Sequence, residues 1–137
     1  MKYALLGLAA LVLLAAGTPL YMDRVMNPAV ERELREHPDA ERAGKVMLLT
    51  LPGGRTVPVN YLREGDTVYV GCDGRWWRGL RGSGAAVQLF LRGESLVGHA
   101  RAIEDDPERR SAIFDRLRPS APKLFGTLIQ IDLTHEP

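Results

Sequence analysis

The chain has 137 residues, 45% of them apolar, which is room for one domain with a packed core and a short appendage and leaves none for a second domain of ordinary size. Lysine and arginine number 18 against 17 acidic residues, a formal charge of +1, so the overall balance gives no reason to expect a nucleic acid or an acidic macromolecule as partner. Cys72 is the single cysteine, so an intramolecular disulfide, a CxxC redox pair and a zinc knuckle are all excluded, and a lone thiol suits a reducing compartment.

From Tyr3 to Met22 no side chain is charged, and Ala4 to Ala16 is a continuous apolar run. About 20 such residues cross the hydrocarbon layer as a helix, so residues 1–22 are expected to form an N-terminal transmembrane anchor with Thr18 and Pro19 at the interface. The alternative is a cleaved secretory signal, with Lys2 as its charged start and Ala15-Ala16-Gly17 as a small-residue cleavage site. Arg24, Arg32, Arg35 and Arg42 follow the segment, whereas only Lys2 and the amino terminus precede it. The positive-inside bias then predicts a single-pass protein of the cell membrane with its domain facing the cytoplasm. Residues 23–43 have helical spacing through Val25, Met26, Ala29, Val30 and Leu34, start plausibly at Asn27-Pro28, and place Glu31 one turn before Arg35. This linker helix has two readings, one along the membrane surface and one packed on the domain.

At Lys45 the period changes from helical to alternating, and residues 44–137 are read as one β-domain. Val46 to Leu51 is a first strand, Pro52-Gly53-Gly54 a turn, and Val57, Val59 and Tyr61 alternate in a second strand. Glu64-Gly65-Asp66 turns into a third strand through Val68, Val70 and Cys72. An Arg/Trp/Gly segment, Asp73 to Gly84, interrupts the pattern. Val87, Leu89 and Leu91 then form one side of a hairpin whose other strand runs through Leu96, Gly98 and Ala100 to Ile103. Asp105-Asp106-Pro107-Glu108 is an acidic helix start, Ile113, Phe114 and Leu117 share a face, and Pro119 ends the helix. Leu124 to Leu133 is a last strand. The fold class is therefore mainly β (α+β), a six-stranded antiparallel barrel closed by its final strand, with short flanking helices.

In this order of elements, Leu48-Leu49-Thr50, Arg55 to Tyr61, Glu64 to Val70, Trp76 to Arg81 and Leu91-Arg92-Gly93 resemble the deazaflavin-dependent nitroreductase and quinone reductase family over roughly residues 26–117, and Val25-Met26-Asn27-Pro28 is similar to that family's amino-terminal helix. The resemblance implies a split β-barrel that binds the reduced deazaflavin coenzyme F-420 and passes hydride to a lipophilic quinone-like or nitro acceptor at the membrane. It also implies a homodimeric arrangement, which split barrels of this type often adopt across their sheets.

Such a cofactor is a flat ring with an anionic tail, so its site needs an apolar slot and a basic patch. Arg75-Trp76-Trp77-Arg78-Gly79-Leu80-Arg81 offers both within seven residues, although a tryptophan that plugs the barrel end and a solvated arginine turn would look the same. By resemblance the cofactor site comprises Arg55, Thr56, Val57 and Pro58 on the second strand. The remainder is Cys72 and Gly74 at the end of the third, then Arg75, Trp76, Trp77, Arg78 and Arg81. The loop Leu51 to Arg55 is shorter than the family pattern and lacks its Arg-Lys-Ser-Gly core, and Gly79 stands where the family usually carries asparagine. FMN, or a barrel without cofactor, therefore stand as alternatives, and Arg55, Arg75 and Arg81 are expected to converge on the tail in place of the missing loop. His37, His99 and His135 lack metal-ligand spacing. No catalytic side chain is expected, because hydride transfer is the cofactor's own chemistry.

Overall fold

A computed structural model describes residues 27–119 and 126–134. The expected anchor and the start of the linker helix, including Val25 and Met26, lie outside the described residues. Among those described, no helix is long and apolar enough to cross a membrane.

Six strands form the body of the molecule: β1 (Val46–Thr50), β2 (Thr56–Glu64), β3 (Thr67–Cys72), β4 (Ala85–Leu91), β5 (Glu94–Ile103) and β6 (Thr127–Leu133). All pairings are antiparallel, and they close into a barrel in the order β1-β2-β3-β6-β5-β4. The last strand inserts between β3 and β5 and joins the three-strand meander to the hairpin, as the sequence predicts. Its start differs: β6 begins at Thr127, directly after Gly126 in a left-handed conformation (φ 102°), and the expected start at Leu124 lies outside the described residues.

Alternation along the strands sends Met47, Leu49, Val68, Val70, Leu89, Ile129 and Ile131 into the barrel, where they form the main core. Helix α2 (Pro107–Leu117) covers the opposite face of β3 and β6 with Ile113, Phe114 and Leu117 against Tyr69 and Leu128. It starts as its sequence demands, with Pro107 in the first turn and the Asp106 carboxylate accepting from the Arg109 N–H at 3.1 Å.

The linker helix ends before the expected boundary at residue 43. Helix α1 (Asn27–Glu36) stops before Pro38, which disfavours helical backbone at His37, and the chain continues into a 3-10 turn at Glu41–Gly44. Leu34 and Val30 pack on Ala43, Leu48 and Phe90, so the described part of this helix lies on the outside of the barrel. Arg35 bridges its surface, bonding Glu31 at 3.1 Å and stacking over Phe90 at 5.3 Å.

One seam of the barrel is incomplete. Pairing of β2 with β3 stops at Tyr61 opposite Val70. Continued, that register would set Asn60 against Gly71 and Pro58 against Asp73. The Tyr61 N–H donates to Lys45 O and the Arg55 carbonyl accepts from Leu51 N–H, so odd positions of this stretch face β1. Thr56, Pro58 and Asn60 therefore turn their backbone toward β3, where proline has no N–H to give. The first half of β2 stays with β1 alone, the end of β3 stays with β6 alone, and the strands part between them.

Candidate functional site

A cavity of about 720 Å³ occupies this parting, within the range typical of small-molecule sites. One wall is the start of β2, with Arg55, Val57, Pro58, Val59 and Asn60. The other is the end of β3 and its turn, Gly71 to Gly74, with Trp76 beyond it, while Asn27 and Arg118 complete the lining. Val57, Val59 and Cys72 belong to the barrel core, so the cavity has an apolar floor where the seam opens. The half-buried Trp76 also packs on that core, and Gly74 leaves room for it, since a Cβ there would lie 3.3 Å from the indole. Burial pushes the Cys72 thiol up from its ordinary pKa, which keeps it neutral and poorly nucleophilic at pH 7. Its Sγ lies 3.7 Å from the Gly74 carbonyl.

Arg118 supplies the most enclosed charge. Its Nη1 is 2.6 Å from Asp73 Oδ1, and its guanidinium stacks over Phe114 at 5.1 Å. Gly71 leaves room for it there, since a Cβ at that position would come within 2.6 Å of Nη2 and push the guanidinium aside.

Of the residues the sequence singles out, Arg55, Val57, Pro58, Cys72, Gly74 and Trp76 meet at this cavity. Thr56 turns aside, its hydroxyl 2.9 Å from that of Thr50, and borders an adjoining groove shared with Asn27 and Arg55. The Trp/Arg segment does not converge as expected. It folds as a 3-10 turn at Trp76–Leu80, in which successive side chains splay by about a third of a turn and residues three apart align. Trp76 accordingly faces the cavity while Trp77 does not, and Arg75 and Arg78 align with each other on the exposed edge. Arg81 sits 4.5 Å over Trp77 and bonds Glu104 at 3.1 Å, away from the cleft. The expected triad of Arg55, Arg75 and Arg81 is thus not assembled, and Leu80, not a tryptophan, is the fully buried side chain of this turn.

Sequence reasoning missed Asn27, Val59, Asn60, Gly71, Asp73 and Arg118. A proline in the middle of an alternating strand was the available signal for a broken ladder; nothing local marks Arg118. Among the described residues no group of three or more His, Cys, Asp or Glu is placed to hold a metal ion.

No protein-family model and no curated protein matches the sequence. Solved structures do resemble the fold. A candidate pyridoxamine 5'-phosphate oxidase from Listeria innocua aligns over 79% of this chain and 93% of its own at 14% identity, with a TM-score of 0.52. A candidate 5-nitroimidazole antibiotic resistance protein from Bacteroides thetaiotaomicron aligns over 71% and 81% at 14% identity, TM-score 0.47. An FAD-binding protein from Mesorhizobium loti aligns over 66% and 82% at 16% identity, TM-score 0.41. The first of these likenesses places the chain in the split-barrel fold that its strand order predicts.

Proposed function

We propose that this chain is a flavin-dependent oxidoreductase that holds a flavin-type cofactor in the cleft between β2 and β3. The observation that carries this reading is the opened seam itself, which brings an aromatic face, an apolar floor, free-standing strand edges and an enclosed cation around one cavity. Those features fit a flat ring with an anionic tail. Trp76, Val57 and Val59 would flank the ring, the backbone of Asn60 and Gly71 would meet its hydrogen-bonding edge, and Arg55 and Arg118 would hold the tail. The bound flavin supplies hydride acceptance and release, so this chain's own task is to orient the ring, exclude water and keep the neutral Cys72 thiol out of the chemistry.

FMN suits the cleft best, because the dispersal of Arg75 and Arg81 leaves a compact basic patch. The family resemblance supports a second reading, in which reduced coenzyme F-420 takes the same slot and the acceptor is quinone-like or a nitro compound.

Trp76→Ala should weaken FMN binding about tenfold, whereas Trp77→Ala should lower stability by about 1–3 kcal/mol with less effect on affinity. Fluorescence titration and thermal unfolding on both variants separate the two. Unchanged affinity in Trp76→Ala would remove the ring slot.

The apolar run before Asp23 and the arginines after it support a membrane anchor that brings a lipophilic acceptor within reach. A reporter fused after Pro137 is expected to read as cytoplasmic, with the protein retained on membranes through carbonate washing. Recovery of a soluble exported chain starting near Thr18 would make the segment a cleaved signal instead.

A further inference from the structure

The cation best placed in the cleft is already paired with an anion of the chain. The Arg118 side chain is only 11% exposed, while that of its partner Asp73 is 67% exposed. Phe114 lies under the guanidinium, and glycines adjoin it on two sides: a Cβ at Gly71 would reach 2.6 Å from Nη2, and one at Gly126 would reach 3.2 Å from Nη1. A side chain at Gly71 would displace the guanidinium end, and one at Gly126 would crowd it. The guanidinium is thus an enclosed planar fork on the cavity wall, whereas Asp73 stands exposed on the turn leaving β3 and can move into water at little cost. An anion entering the cleft meets an enclosed cation and competes with an exposed carboxylate.

We propose that Arg118 is the anion anchor of the cleft, that it takes a phosphomonoester, and that Asp73 is a resident competitor that sets how tightly that group is held. A phosphomonoester brings about −1.5 to −2 charges at pH 7, more than the single charge of a carboxylate or phosphodiester, so it alone outbids Asp73 by charge. The identity of the molecule carrying that group rests on the flavin reading above; the anion site rests on the geometry of Arg118.

The test uses the full chain in detergent, with FMN and riboflavin as ligands that share a ring and differ by the phosphate. Wild-type protein should prefer FMN by about tenfold or more, the increment of one charge-assisted bidentate contact. Asp73→Asn should widen that preference by roughly a further fivefold, through loss of a competing charge. Arg118→Gln should reduce it to within about twofold. Gly71→Ala keeps the arginine but displaces it, and should do the same, so a folding defect in Arg118→Gln does not decide the matter. In parallel, inorganic phosphate is titrated against the Arg118 side-chain Nε–H resonance, which should shift in wild type and shift at lower phosphate in Asp73→Asn. A preference that survives both Arg118→Gln and Gly71→Ala, or that narrows in Asp73→Asn, overturns the proposal. Flavin binding without phosphate preference overturns the anchor and spares the flavin reading. A phosphate-induced shift without flavin binding does the reverse, and absence of both effects overturns both.

Discussion

Phe114→Ala is expected to lower the free energy of unfolding by about 3–5 kcal/mol, read as a shift in the urea midpoint at unchanged slope. Phe114 is fully buried and sits in the contact between α2 and the outer face of β3 and β6, among Tyr69, Ile103, Ile113, Leu117 and Leu128. Its ring also carries Arg110 at 4.5 Å and Arg118 at 5.1 Å. Truncation would leave a void that a helix tied to the barrel cannot close, and it would remove the surface on which Arg118 lies. Phe114→Leu keeps most of the volume and should cost less than about 1.5 kcal/mol. A loss below about 1 kcal/mol for the alanine variant would mean that α2 is not packed as described.

Gly84→Ala is expected to be comparably damaging, for a backbone reason. Gly84 has φ 73°, and a Cβ there would lie 2.0 Å from the Ala100 carbonyl oxygen. The left-handed conformation costs a non-glycine residue roughly 1–2 kcal/mol, and the clash adds roughly 1–3 kcal/mol because no rotamer relieves contact with backbone. The damage falls where β4 enters its pairing with β5, at Ala85 opposite Ala100. Gly79 is the control: a Cβ there meets nothing within 4 Å, so Gly79→Ala should stay within about 0.5 kcal/mol. Thermal melts of the two variants side by side would settle the contrast, and equal melting points would contradict it.

The strands were legible because each obeys a local rule. Alternation through Val57, Val59 and Tyr61, and through Val87, Leu89 and Leu91, marks faces that one core must bury, and the glycine turns between them leave little freedom of register. Helix α2 was equally readable, from Asp106 and Pro107 at its start to the Ile113, Phe114 and Leu117 face. The cavity was half legible. Of the six expected residues that reach it, Val57, Pro58 and Cys72 sit on two strand ends that the alternation marks, and Arg55, Gly74 and Trp76 follow from the turns beside those ends. The arginines disperse because nearness in sequence is not nearness in space. In a 3-10 turn the three-residue repeat that groups Arg75 with Arg78 also carries them together to the solvent side. Arg118 was invisible for the opposite reason: it reads as an ordinary basic residue at a helix end, and only the packing of α2 beside Gly71 brings it to the cleft. The linker helix showed its apolar positions, but which surface they bury is a tertiary fact, supplied by Leu48 and Phe90.

A flavin-type ring held in the cleft between β2 and β3 would be visible in the protein's absorption. The most direct measurement is the visible absorption spectrum of the full chain purified in detergent, recorded before and after addition of FMN and of the deazaflavin coenzyme. Binding in a dry slot against Trp76 predicts a displaced and vibrationally structured ring band with at least one of them, and loss of that change in Trp76→Ala. A spectrum that remains the sum of protein and free cofactor in both titrations would contradict a flavin-type ring in this cleft.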